Sequence, residues 1–408
     1  MQKQLTVIGG GAAGFFCAVN AARMNPDLKV TIIEKSNKLL SKVKVSGGGR
    51  CNTTHACFDI PELSLRYPRG QKFLKKAFHW FNTNDTVEWF NERAVTLKTE
   101  ADGRMFPITD QSQTIIDCLL READKYGVKI LMKAEVTAII KEENGFVLEL
   151  ANSISMHTNF LCIACGGFPK ASQFEWLLGT GHTIETPVPS LFTFNMPGNK
   201  ITKLMGISVE KAVVKISGSK LEEEGALLIT HWGMSGPAVL KLSAWGAREL
   251  AEKNYVFDIS VNWVFAYNES SIRNEWPYLR EKLSGQLLGN KNPFGLPNRL
   301  WLYLLEMSEV SETMRWSDLP SKQQNLLIKN LTAQAFHVQG KTTFKEEFVT
   351  CGGIKLNEID VNTMQSKIVP GLFFAGEIMD VDGITGGFNF QNAWTSGWIA
   401  AKAISGNV

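Results

Sequence analysis

The sequence has no long apolar run. Nothing in it approaches the roughly 18 apolar residues that a membrane-spanning helix needs. The apolar stretch nearest the N-terminus, Leu5–Ile8, is too short for a secretory signal core. These absences set the expectation of a cytoplasmic protein with no membrane partner. A charge excess is also lacking: 43 Lys and Arg face 40 Asp and Glu, for a formal net charge of +3. There is no basic tract and no basic stripe with interleaved aromatics, so nucleic acid is not expected as a partner. The densest basic run, KFLKKAF at Lys72–Phe78, reads as the polar face of an amphipathic helix. The cysteines, at 17, 51, 57, 118, 162, 165 and 351, are odd in number and irregular in spacing. They read as reduced, mostly buried thiols rather than a disulfide framework. Internal repeats and low-complexity linkers are absent too. What remains is 408 residues with 44% hydrophobic and 20% charged, a globular chain long enough for more than one folding unit.

The first forty residues carry the clearest pattern. LTVI is a short strand, and Gly9, Gly11 and Gly14 follow it as G-x-G-x-x-G, with Ala12 and Ala13 inside the motif. AAGFFCAVNAARM then has helical periodicity and stops at Asn25-Pro26. KVTIIEK is a second strand, ending in Glu34, which lies 20 residues past Gly14. Gly9 permits the tight turn, Gly11 lets a pyrophosphate approach the backbone, and Gly14 lets helix and strand pack closely. The helix N-terminus offers unpaired N–H groups and partial positive charge to the phosphates. Glu34 can accept hydrogen bonds from ribose hydroxyls and would repel a 2′-phosphate. The order of strand, glycines, helix, strand and acid indicates dinucleotide binding, but does not separate FAD from NAD.

Further along, Lys72–Arg93 reads as one helix with Phe73, Ala77, Trp80 and Phe81 on one side. GRMFP is a turn and short strand, Gln113–Tyr126 a helix, and VKILM a strand. VTAIIKEENGFVLEL reads as a hairpin closed at Asn144-Gly145. FLCIACGG, Phe160–Gly167, is a buried strand entering a glycine turn. Its Cys162 and Cys165 form C-x-x-C, a spacing that can mean redox or zinc chemistry. On a strand, positions three apart point to opposite faces, and no second pair or histidine stands at zinc spacing, so the plain reading is packing. No metal is expected.

Near the C-terminus, Leu372–Ala375 is a strand ended by Gly376-Glu377. Asp380 and Asp382 lie in a loop, and Gly386-Gly387 open an apolar helix over about Asn389–Ile404. An acid after the strand suits ribityl hydroxyls, and a helix N-terminus suits the edge of a flavin that gains negative charge on reduction. The two ends of the chain therefore complete one domain, 1–187 with 352–408, around an insertion at 188–351. Within the insertion, Leu191–Leu228 and YVFDISVNW read as strands and 268–330 as a helical lobe. AFHVQGKTTFKEEFVTCGGI returns to strands. No second strand–G-x-G-x-x-G–helix unit occurs, so a nicotinamide would lack a dedicated domain. His231 in THWGMSGP reads as a hydrogen-bonded core group at a strand end, with a substrate-facing acid/base as the alternative.

The stretches VIGGGAAG, SGGGRCN, THWGMSGP, TCGGI and TMQSKIVPGLFFAGEIMDVDGITGGFNFQNAW together resemble the flavoprotein family of aminoacetone oxidase and the bile-acid reductase BaiN, over essentially the whole length. The resemblance implies an α/β fold: a Rossmann-like, glutathione-reductase-like FAD-binding domain closed by the C-terminus, with an inserted β-barrel-like unit and a helical lobe. Two departures stand out. His55 replaces an asparagine after SGGGRCN, and Cys165 replaces a threonine in A-T-G-G. Within this frame SGGGRCN lies past the second strand, where its glycines bring backbone N–H groups to an anion. Arg50 would add a positive fork near the pyrophosphate or flavin, and Lys42 the same. Cys51 reads as a packing residue or flavin neighbour, with a redox thiol as the alternative. Motifs and resemblance together place around the FAD Gly9, Gly11, Ala12, Ala13, Gly14, Glu34, Lys35, Lys42, Ser46, Gly47, Gly48, Arg50, Cys51, Asn52 and Val136. The remaining contacts expected are Ala164, Cys165, Gly166, Gly376, Glu377, Asp380, Gly386, Gly387, Phe388 and Asn389.

The leading functional reading is an FAD-dependent oxidoreductase. It would move hydride between flavin and a small-molecule substrate held between the FAD domain and the insertion. NAD(P)H as a transient electron donor is left open, as is an amine oxidase that returns electrons to oxygen. A flavin-dependent RNA modifier and a non-catalytic flavin protein are the readings from other classes. No acid/base is assigned; His231, Asp382 and Cys51 are candidates.

Overall fold

Past its first residue, the segment Gln4–Ile8 (β1) is buried, as a strand at the centre of a parallel sheet must be. The structure, a computed structural model, describes residues 2–342 and 349–406. β1 is followed by the helix Ala12–Met24 (α1) and the strand Lys29–Glu34 (β2). Lys129–Met132 (β3), Phe160–Ile163 (β4) and Leu372–Phe374 (β5) complete a parallel sheet in the order β5-β4-β1-β2-β3. The long helix Phe388–Ser405 (α2) packs on α1. Phe16 of α1 meets the Trp394 ring of α2 at 5.1 Å, and the Trp394 indole N–H donates to the Thr53 carbonyl at 2.9 Å. The last segment of the chain thereby roofs the first. No helix among the described residues is long and apolar enough to cross a membrane.

The chain divides into two compact units, Met1–Ser190 with Phe344–Val408, and Leu191–Thr343. The division falls inward of the expected 188 and 351 because Ile184–Ser190 pairs antiparallel with Val349–Ile354, which draws Val188, Pro189 and Ser190 into the nucleotide-binding unit. Among the described residues, the second unit contains a seven-stranded antiparallel sheet. Gln334–Gln339 lies at one end of its strand order and Lys341–Thr342 at the other. Only Gly340 separates these two strands, so the chain itself closes the sheet into a barrel. Helices Glu269–Lys282, Asn298–Met307 and Ser321–Ala333 form the helical lobe, around the buried Trp276, Trp301 and Trp316. The strands expected over 335–354 are found on both sides of 343–348, which lie outside the described residues.

The single helix expected over Lys72–Arg93 is two helices, Gln71–Ala77 and Thr83–Asn91. Asn82 is extended and builds a capping box: its side chain accepts from Asn84 N–H, and Asp85 accepts the Asn82 N–H at 2.6 Å. Local hydrogen bonding of that kind restarts a helix whatever the apolar periodicity across it. Trp80 consequently lies exposed, under the Lys402 ammonium at 4.3 Å, rather than on a buried face.

One buried titratable group gives the first unit a pH dependence. His182 is 4% exposed, with Nδ1 2.7 Å from Thr180 Oγ1 and Nε2 2.8 Å from Ser366 Oγ. Thr180 spends its proton on the Leu177 carbonyl, so Nδ1 donates to it. Ser366 already accepts from the Ile368 and Val369 N–H groups, so it donates to Nε2. The ring is held neutral, and burial, partly opposed by Glu358, lowers its pKa from 6.5. The unfolded state therefore binds more protons just below pH 6.5, and stability falls as pH drops through that window. Melting temperatures between pH 7.5 and 5.5 are expected to fall more steeply for the wild type than for His182→Gln. Equal slopes would refute the assignment.

Candidate functional site

The turn between β1 and α1 is pinned from both sides. Gly9 N–H donates to the Ile33 carbonyl at 2.8 Å, and Ala164 N–H to the Ile8 carbonyl at 2.8 Å. The loop Ala164–Gly166 therefore runs beside the glycine motif. Glu34 ends β2 with both oxygens fixed, accepting Gly10 N–H at 2.9 Å and Ser36 N–H at 2.8 Å. Each oxygen keeps a second lone pair for a hydroxyl donor. Val136 begins the next hairpin, two residues past Ala134, whose N–H donates to the Glu34 carbonyl.

The helix that begins at Ser41 unwinds where SGGGRCN begins. Ser46 is extended, and Gly47, Gly48 and Gly49 all take positive φ. The loop ends against α2. Asn52 accepts the Gly387 N–H and donates to the Thr54 carbonyl, each at 3.0 Å. Gly387 has φ +95°, and a Cβ there would lie 2.5 Å from the Thr54 carbonyl oxygen, so only glycine lets the loop come this close. His55 stacks on Phe388 at 4.6 Å and sits 2.9 Å from the Gly386 carbonyl. Asn389 closes the preceding loop by bonding both the N–H and the carbonyl of Gly383. Glu377 accepts Thr350 N–H at 2.8 Å and pairs with Lys42 at 2.5 Å. Gly376 N–H donates to Ser396 on α2. Sequence positions from 9 to 396 thus meet along one arc between the N-termini of α1 and α2.

Several of the expected residues have partners within the chain. Arg50 is not a free cation for phosphate. Its guanidinium bonds Glu100 at 2.5 Å, lies 3.5 Å from Asp110, and stacks on Phe106 at 4.0 Å. Lys42 is likewise committed to Glu377. His231 is exposed, edge-on to Trp232 at 4.0 Å, so the core position expected for it is wrong: the strand before it ends at Ile229 and leaves it in the turn. Asp382 is fully buried in an ion pair with Arg69 and accepts from Ser190 at 2.6 Å, an arrangement that fixes structure rather than offering an acid/base to substrate. Asp380 is tied by its N–H to the Ile354 carbonyl. Cys51 is buried, and burial pushes its thiol up to about 11, which works against a nucleophilic thiolate. Burial likewise pushes the Cys165 thiol up to about 12, and the neighbouring Cys17 thiol together with burial raises Cys162 well above the ordinary range. Sequence reading missed Tyr67, Arg69, Ser190, Thr350 and Asn392. RYPRG carries no chemical motif, and isolated Ser, Thr and Asn residues give no signal.

The arc fits an FAD. Neither α1 nor α2 has a side-chain cap or an acid in its first turn, so both N-termini present their N–H groups and partial positive charge. A Cβ built on Gly11 meets nothing within 4 Å, which leaves room for a group against the backbone. Thr350 Oγ1 and Asn392 Oδ1 are buried beside Glu377 and on α2, with no hydrogen-bond partner among the described residues, as polar atoms that await a ligand would be.

Fold and family define an FAD-dependent oxidoreductase of the Rossmann type. The chain belongs to the family described as HI0933-like protein Rossmann domain, which matches residues 3–403. It is 32% identical over 407 residues to a ribosomal RNA dihydrouridine synthase of Escherichia coli K12, covering 97% of this chain and 96% of the relative. It is 27% identical over 411 residues to a 3-dehydro-bile acid delta(4,6)-reductase of Clostridium scindens, covering 98% of each. Among solved structures it resembles the 3-ketosteroid-delta4-(5alpha)-dehydrogenase of Rhodococcus jostii RHA1, with a TM-score of 0.52, 13% identity, and coverage of 98% of this chain and 97% of that one. At that identity the likeness is one of fold.

Proposed function

We propose that the chain reduces a carbon–carbon double bond conjugated to a carbonyl, with electrons supplied by NAD(P)H. The observation that carries this reading is the N-terminus of α2, uncapped by any side chain and free of first-turn acids, as a site for charge that develops on reduction needs to be. When bound, FAD would supply the relay of hydride from NAD(P)H to substrate, with negative charge on its pyrimidine side in the reduced form. The chain's own residues bind and orient. The α1 N-terminus would hold the pyrophosphate and Glu34 the ribose. Glu377, held by Lys42 and Thr350, is placed for ribityl hydroxyls. The names of two relatives support the substrate class. Making dihydrouridine and reducing a delta(4,6) unsaturation both add hydrogen across a double bond conjugated to a carbonyl. A uracil in ribosomal RNA is the second reading, favoured by the 32% identity over nearly the full length of the Escherichia coli relative.

The test is anaerobic. The yellow protein is mixed with NADH and separately with NADPH, and bleaching is followed. The bleached protein is then given a 3-oxo-4-ene steroid, or unmodified ribosomal RNA transcribed in vitro. Bleaching by a nicotinamide followed by recovery of colour with either acceptor is expected, and the effective acceptor names the substrate. Persistent colour with both nicotinamides would overturn the donor. Bleaching without recovery by either acceptor would overturn double-bond reduction.

A further inference from the structure

We propose that Arg69 is a positioning residue for the cofactor, acting through a strap, Arg66–Gly70, that holds the loop before α2 in place. The proposal rests on the reading that the α2 N-terminus faces the flavin. The strap runs alongside residues 381–388 and grips them at four points. The Arg66 carbonyl accepts Ile384 N–H at 3.0 Å. Tyr67 Oη donates to the Phe388 carbonyl, the first residue of α2, at 2.7 Å. Arg69 bonds both oxygens of Asp382 through Nε and Nη2, and Nη2 also donates to Ser190 Oγ at 3.3 Å. Gly70 lies so close to Val381 that a Cβ would sit 2.6 Å from its Cγ2.

These contacts are buried. Asp382 and Tyr67 are fully inaccessible, and the Arg69 side chain is 13% exposed. Burial raises the Tyr67 hydroxyl well above its ordinary range, so it remains a donor. For Asp382, burial raises the carboxyl while Arg69 and Ser190 pull it down. A fork that engages both oxygens fixes orientation as well as distance, which a point charge cannot do. The loop it fixes contains no other regular structure between Ile378 and Phe388. The strap therefore shares with Asn52 and His55 the positioning of the α2 N-terminus. The local field depends on it too, because removing Arg69 would leave a buried carboxylate uncompensated beside the helix start.

Arg69→Gln, Arg69→Lys and Tyr67→Phe are compared with the wild-type holoprotein. Three quantities are read: FAD affinity from bound flavin after filtration, flavin midpoint potential against reference dyes, and melting temperature. Arg69→Gln is expected to bind FAD at least about tenfold more weakly. Its redox equilibrium is expected to shift at least tenfold toward the oxidised form, about 30 mV more negative for a two-electron couple. Arg69→Lys should fall between, since it keeps the charge and loses the fork. Tyr67→Phe should shift the potential in the same direction and by less, and it replaces Arg69→Gln as the deciding variant if that protein does not fold. Affinity and potential within twofold of wild type in the folded variants would overturn the proposal. None of these readouts involves substrate or nicotinamide. A wild type that binds no FAD refutes the cofactor reading, whereas a flavin-bound wild type with indifferent variants refutes the strap alone.

Discussion

Replacing Gly14 by valine is expected to yield a colourless protein. A Cβ at Gly14 would lie 1.9 Å from the Gly9 carbonyl oxygen and 3.4 Å from Val7 Cγ1. The turn cannot retreat, because Gly9 is hydrogen-bonded to β2 and the residue following β4 to Ile8. Either α1 lifts off the sheet or the glycine turn deforms, and both move the N–H groups that would hold the pyrophosphate. At least a hundredfold loss of FAD affinity follows, about 2.7 kcal/mol, read as flavin retained after filtration. Gly11→Ala is the control. Its added methyl meets no protein atom, so the melting temperature of the apoprotein should stay within about 2 °C of the wild type while FAD affinity falls. If Gly11→Ala kept full affinity, the pyrophosphate would not lie against that residue.

What could be read from the sequence was what is local. β1, α1 and β2 follow from apolar period and glycine spacing within forty residues, and the α2 start follows from tandem glycines before an apolar helix. Two of the misreadings share one physical origin. Arg50 reads as a free cation because its partners Glu100 and Asp110 lie 50 and 60 residues away on other segments. Arg69 gives no signal because Asp382 is 313 residues distant and both sit in loops. The misread helix at Lys72–Arg93 differs: its break is local, made by the Asn82–Asp85 capping box inside a stretch whose apolar periodicity runs straight across it. His231 shows the converse, a histidine in a motif-like stretch that the turn leaves in solvent.

Removing Asp382 separates stability from positioning. Asp382→Ala leaves the Arg69 guanidinium in a site where only 13% of its side chain reaches water. Breaking a buried pair at one partner costs about 3–5 kcal/mol, because the surviving charge loses its closest counter-ion in a site with little solvent. The loss should appear as a lower urea midpoint with an unchanged slope. The pair itself adds little net stability by the same reasoning, since burial raises the Asp382 carboxyl against the pull of Arg69. An apolar replacement of both partners, Arg69→Met with Asp382→Leu, should therefore regain most of the lost stability. It should not regain the wild-type flavin potential, because methionine and leucine pack without fixing an orientation. Recovery of both properties would mean that filling the volume is enough and the fork has no separate role. Recovery of neither would mean that the charges themselves hold the loop, and that the Ser190 hydroxyl, which bonds Asp382 at 2.6 Å, depends on that carboxylate for its own place.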